Sequence, residues 1–227
     1  HGLCDGRGVM PFIETLLYDY CCQKYHKKFS SEGIRLPGEP IPEEETVEPF
    51  TREFYEVDET AVQQVEHDGF ALPESTSMPE GCYHSEILLD ESTFVQAARA
   101  IGATPTLLAA MLLSRCILEL HPQAEKPVIC NLAMDLRSAI GKEQTHRNCV
   151  GTAYLPYTAQ DGTAAPEELA RRYRELLAAQ REPNAVRAAL NKQIGLFNKL
   201  DELPTLEEKR KLMSFFNGMV NNTYVIS

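Results

Sequence analysis

Apolar residues at Val9, Phe12, Ile13, Leu16, Leu17, Tyr20 and Cys21 recur at the three- and four-residue spacing of one helix face, which predicts a helix from Val9 to about Lys27. Lys24, Lys27 and Lys28 gather near its end, where cations suit the negative pole of the helix dipole. Periodicity then lapses from about Ser30 to Gly81. That tract carries Pro37, Pro40, Pro42, Pro49, Pro73 and Pro79 and a crowd of acids, Glu39, Glu43, Glu44, Glu45 and Glu48, and reads as linker that crosses between subdomains or wraps one. Its acids read as a solvated surface.

Regular patterning resumes with a strand at Tyr83 to Asp90 and a short helix from Ser92 to Ile101, ended at Gly102. Thr104 and Pro105 supply an N-cap and a first helical residue for the next helix. Its face is Leu107, Leu108, Met111, Leu112, Ile117 and Leu118, beside an exposed Arg115, and Pro122 closes it. Pro127 to Leu136 and Cys149 to Tyr157 read as strands separated by a polar loop with Gly141. Helices follow at Ala165 to Arg181 and Ala185 to Leu200, then one opened by a Thr205/Glu208 capping box and reaching about Met219. The closing run Asn222 to Ser227 is rich in strand-forming residues. Strands alternating with helices predict an α/β layered fold, a mixed sheet with flanking helices and at least one covered face. The divisions expected are 1–29 as a loop and helix, 30–81 as an acidic, proline-rich linker, and 82–227 as an α/β subdomain. The chain opens on His1 without a methionine, and its last strand reads as cut before its turn, so a piece of a longer protein is expected.

Composition narrows the functions. The 227 residues hold 22 Lys and Arg against 33 Asp and Glu, a formal charge of −11, the wrong sign for a chain that neutralises phosphate backbones. Nucleic acid is not an expected partner. The longest apolar run, Leu107 to Leu113, is seven residues, far below the roughly 20 needed to cross a bilayer, so no membrane span is expected. Nothing reads as a signal peptide. Seven irregularly spaced cysteines lack the Cys-x-x-Cys spacing of zinc or redox sites and read as ordinary buried thiols in a reducing, cytoplasmic compartment. No metal site is expected.

The candidate chemistry lies at the front. His1-Gly2-Leu3-Cys4-Asp5-Gly6 places a histidine four residues before an Asp-Gly pair that opens directly into the first helix. Further on, Asn131-Leu132-Ala133-Met134-Asp135-Leu136-Arg137 is followed by a polar loop and by Asn148-Cys149-Val150-Gly151-Thr152. Together these resemble the chloramphenicol-acetyltransferase-like superfamily, which includes alcohol acetyltransferases, wax-ester-synthase-like acyltransferases and condensation domains of nonribosomal peptide synthetases. They match its His-His-x-x-x-Asp-Gly motif, its strand ending in arginine and its Asn-x-x-Gly strand. Two features depart from the pattern: the first histidine of the pair would precede residue 1, and the late Asp-Phe-Gly-Trp-Gly-like element would lie beyond Ser227.

The resemblance implies mainly the C-terminal half of that fold, with the N-terminal half of the same protein as a partner. It implies His1 as catalytic general base, an acyl thioester, acyl-CoA above all, as co-substrate, and an alcohol as acceptor, with no permanently bound cofactor. The alternatives are a condensation domain joining an amine acceptor to a substrate on an acyl or peptidyl carrier protein, or a noncatalytic member binding such ligands. Asp5 could orient the imidazole as in a triad. The resemblance implies instead that Asp5 turns away and pairs with Arg137 through two parallel hydrogen bonds, fixing the histidine loop, and that Gly6 relieves crowding where the loop enters the helix. Asn148, Thr152 and Ser227 could line a channel, while His26, His67, His84, His121 and His146 read as surface or capping residues.

Overall fold

The computed structural model describes residues 3–50, 53–73, 84–219 and 221–227. It is a mixed α/β fold built on a three-stranded sheet in the order β2-β1-β3. The central strand β1 (Val128–Asp135) pairs antiparallel with β2 (Val150–Tyr157), from Val128 opposite Tyr157 to Asp135 opposite Val150. On its other side it pairs in parallel with β3 (Tyr224–Ile226). Residues 84–90, expected as a strand, are irregular, and Tyr83 lies outside the described residues. Ile87, Leu88 and Leu89 are 62–86% exposed, and their apolar run joins none of the described strands.

The two faces of the sheet differ. Val128, Cys130, Leu132 and Met134 of β1 and Ala153, Leu155 and Tyr157 of β2 share one core cluster with residues of three helices. These are α4 (Pro105–Leu120), α6 (Pro166–Arg181) and α7 (Pro183–Glu202). Leu169, Ala170, Tyr173 and Leu177 form the buried stripe of α6, at the spacing that keeps one helix face on the core. Thr104 caps α4 by accepting from the Leu107 N–H at 3.2 Å, ahead of Pro105. The outer edge of β2 is closed by side chains: the Gln180 amide accepts from Tyr154 N–H at 2.8 Å and donates to Tyr154 C=O at 3.0 Å. Tyr173 Oη donates to the Pro156 carbonyl. One glutamine thus stands in for a neighbouring strand, and Pro156 offers no N–H to an intruding one.

Helix α1 (Gly6–Tyr25) forms where its stripe predicts, but it buries no residue. Phe12, Leu16, Leu17 and Tyr20 are each more than half exposed. His26 caps its C-terminus in the left-handed region, with φ of +48°. Residues 30–50 and 53–73 are largely irregular. They contain the short α2 (Glu43–Thr46) and tie to distant elements through Tyr55 with Asn191, Asp58 with Asn184 and Asn221 with Asp68. Before α4 lies α3 (Glu91–Ala100), capped by Asp90. After α7 lies α8 (Leu206–Met219), whose Thr205/Glu208 box makes both of its bonds.

No single described helix is long and apolar enough to cross a membrane; α3 and α4 reach the threshold only as a pair bent by 84°. Of the described cysteines, Cys130 and Cys149 are buried, Cys4, Cys21 and Cys22 half-buried and Cys116 exposed. Among these, the expectation of buried thiols holds for Cys130 and Cys149 only: Cys21 and Cys22 lie on α1, which buries no residue, and Cys116 lies exposed on α4.

A buried carboxylate clamp at the start of the first helix

Asp5 is the N-cap of α1, its Oδ1 accepting from the Gly8 N–H at 2.8 Å. An aspartate at such a position also places a negative charge against the positive end of the helix dipole. It is 4% exposed, and burying a lone carboxylate there would be costly. Arg137 supplies the compensating charge: its Nη2 lies 2.8 Å from Asp5 Oδ1, with both side chains at most 2% exposed.

Chain direction explains the meeting. β1 ends at Asp135, and the backbone turns through Leu136 into a single helical turn, α5 (Arg137–Ile140), so Arg137 sits past the strand end and not on it. The returning loop then wraps the guanidinium. Nε donates to the Thr145 carbonyl and Nη2 to the Arg147 carbonyl, each at 2.8 Å. Nη1 donates to Asp135 Oδ1 at 2.9 Å.

The expected pair of parallel bonds between Asp5 and Arg137 is not what forms. Asp5 Oδ2 accepts from the Cys149 N–H at 2.8 Å, so only one carboxylate oxygen faces the guanidinium, and Arg137 divides its fork between two aspartates. Arg7 reaches Asp135 Oδ2 at 2.6 Å, giving an alternating quartet Arg7–Asp135–Arg137–Asp5 with no net formal charge. Burial by itself would raise the Asp5 pKa. The bonds from Arg137, Cys149 and Gly8 outweigh that and hold it down to about 2. Asp135 is likewise lowered, burial being outweighed by the bonds from Arg7 and Arg137. Burial pushes the Cys149 thiol up to about 11, so it is no ready nucleophile.

Gly6 does not have the crowding expected of it: among the described residues, apart from its chain neighbours and its own helix backbone, nothing lies within 4 Å of where its Cβ would stand. The tight approach is at Gly8, where a Cβ would fall 2.0 Å from the His146 carbonyl oxygen. The loop after α5 packs directly on the first turn of α1, and only a residue without a side chain fits between them. The second glycine of Asp-Gly-Arg-Gly was the sequence signal for this. Asp135, two residues before Arg137, was the corresponding signal for the second carboxylate.

His1 lies outside the described residues. Asn148 accepts from the Val150 N–H just before β2, Thr152 is exposed on β2 with Oγ1 3.3 Å from Tyr154 Oη, and Ser227 is exposed after β3. His146 is tied to Glu45, Nε2 to carboxylate at 3.2 Å, and Glu45 also receives Arg35. This acid of the linker is therefore an inward anchor, while Glu39, Glu43, Glu44 and Glu48 are exposed as expected. His121 caps α4 and packs on Phe70, whereas His67 is exposed near the Tyr154 ring. Among the described residues no cluster of three His, Cys, Asp or Glu side chains could hold a metal ion.

No family model, no curated protein and no solved structure matches this chain.

Proposed function

We propose that this chain carries the histidine side of an acyltransferase site of the chloramphenicol-acetyltransferase-like type, which moves an acyl group from a thioester, acyl-CoA above all, to an alcohol. The observation that supports this reading most is the buried bond between Asp5 and Arg137. A carboxylate four residues after the histidine, 4% exposed and already accepting from Arg137 and Gly8 on one oxygen and from Cys149 on the other, is committed to the fold rather than to an imidazole. Asp5 then serves as a positioning residue that fixes the loop leading into α1, and His1 acts without a carboxylate partner from this motif.

In this reading a neutral imidazole, with a reference pKa of about 6.5, takes the proton of the acceptor hydroxyl as its oxygen attacks the acyl carbonyl. The new C–O bond forms, the C–S bond of the thioester breaks, and the same imidazolium returns its proton to the departing thiolate. Atoms and charge balance without a covalent enzyme intermediate. The Arg7–Asp135–Arg137–Asp5 quartet supplies no proton in this scheme; it holds the loop still, and accurate placement of the base is what makes such a transfer fast.

The test is thiol release from a panel of acyl-CoAs with alcohol acceptors, catalysed by the full-length protein. His1→Ala should lower kcat by about 10²- to 10⁴-fold, the range for loss of a general acid–base group, with the fold intact by circular dichroism. Full activity in His1→Ala, or no thiol release with any donor and acceptor, would overturn the proposal. Amide formation only with carrier-bound substrates would assign the condensation reaction instead.

A further inference from the structure

A cavity of about 410 Å³ opens where the first turn of α4 and the C-terminal half of α6 meet β1. Its floor is apolar, with Leu132 and Leu177, and its rim carries Arg174, Arg181, Thr104 and Thr106. None of its lining residues is acidic, although acids outnumber bases 33 to 22 in the chain. Arg174 and Arg181 are seven residues apart on α6, two turns along one face. Their neighbours on that helix are paired, Arg171 with Glu175 and Arg172 with Asp161. Among the described residues, neither Arg174 nor Arg181 has a carboxylate partner.

Arg174 lies beside the turn between α3 and α4. Its guanidinium atoms stand 3.6–3.8 Å from where a Cβ of Gly102 would lie, over the turn that feeds α4. At that turn Thr104 satisfies the Leu107 and Leu108 N–H groups and Pro105 has none, while the Thr106 N–H has no acceptor among the described residues. Two unpaired guanidinium groups therefore share one concavity with an unused backbone donor. The volume is within the range of small-molecule sites.

We infer that this cavity binds a phosphate-bearing ligand, its phosphate oxygens between Arg174 and Arg181 and its less polar part against Leu132 and Leu177. Guanidinium forks match phosphate oxygens in geometry as well as charge. The inference does not depend on the acyl-transfer reading, because free nucleotides and coenzyme A share this chemistry.

Isothermal titration at low ionic strength with pyrophosphate, ADP and coenzyme A tests it on three proteins: wild type, the Arg174→Gln/Arg181→Gln double variant and Arg171→Gln. Binding of at least one probe is expected, weakened about tenfold or more in the double variant, the lower end of what charge-assisted bonds contribute, and unchanged in Arg171→Gln. Coenzyme A binding well above ADP would assign the ligand as a thioester carrier; equal binding would assign a nucleotide and leave the acyl donor to another site. Both arginines are exposed, so the double variant should keep the wild-type thermal midpoint; if it does not, the two single variants make the same comparison. Absence of binding by all three probes at millimolar concentration, or equal affinity in the arginine variants, would overturn the inference.

Discussion

Replacing Arg137 by Met keeps most of the side-chain length and removes the guanidinium at the centre of the clamp. Asp5 would retain its bonds from Gly8 and Cys149 but lose its only buried counter-charge, and the Thr145 and Arg147 carbonyls would lose their donors. Breaking a buried ion pair from one side costs about 3–5 kcal/mol, because the partner stays desolvated without compensation. Against a total stability of about 5–15 kcal/mol that is a large share, so the urea midpoint should fall steeply at unchanged m. Adding Asp5→Asn to Arg137→Met removes the stranded charge and should restore part of the loss, a coupling of about 1–3 kcal/mol in a double-mutant cycle.

The pH dependence gives an independent reading of the same pair. The Asp5 pKa is about 2 in the folded chain against an ordinary 3.8, so its contribution is present in full above the unfolded value and is lost as pH falls from about 4 towards 2. At 1.36 kcal/mol per pKa unit this is about 2 kcal/mol, which the Asp5→Asn variant should no longer lose over that interval. A cost below about 1 kcal/mol for Arg137→Met, together with no coupling to Asp5, would show that the clamp holds nothing.

Gly8→Ala should destabilise by about 1–3 kcal/mol, because its Cβ would collide with the His146 backbone, whereas Gly6→Ala should fall within about 0.5 kcal/mol of wild type; thermal unfolding of both separates the two glycines. Gln180→Ala should speed amide exchange at Tyr154 and cost about 1–3 kcal/mol by leaving that edge unpaired, and unchanged exchange would count against the edge-closing role. Thr205→Ala should lower stability by about 1 kcal/mol through loss of the α8 cap, measured by urea unfolding.

Local signals were readable wherever the physics is local. Thr104-Pro105, the Thr205/Glu208 box and the stripe of α6 announce helix ends and faces because their partners lie within four residues. Over 84–90 the expected strand does not form, because strands are made by their neighbours. Ile87-Leu88-Leu89 has the composition of one, but none of the three described strands pairs with it and its side chains stay exposed. For the same reason periodicity located α1 and its apolar face and could not say whether anything covers that face. The ionic contacts were half legible. That Asp5 would meet Arg137 came only from resemblance, across 132 positions. How the guanidinium is shared depends on where Asp135 and the 145–149 loop fall once β1 has turned, which no spacing in the sequence specifies.

The way that guanidinium is shared bears on what Asp5 does. A carboxylate bound by one arginine alone could swing one oxygen towards an imidazole at the cost of a single bond. Asp5 cannot do so without also releasing the helix cap at Gly8 or the Cys149 amide, and the Cys149 bond ties α1 to the residue that leads into β2. Rotation of Asp5 would therefore undo the start of α1, the 145–149 loop and the entry to the sheet together. Asp5→Asn keeps the shape but sets an NH₂ group against either the Cys149 N–H or the Arg137 donors, so it should fail first as a fold-positioning variant. In the full-length protein its kcat loss should follow the loss of thermal stability and leave the pH profile of kcat/KM where wild type has it. A fully stable Asp5→Asn protein whose pH profile is displaced would instead assign Asp5 to the imidazole and refute the clamp reading.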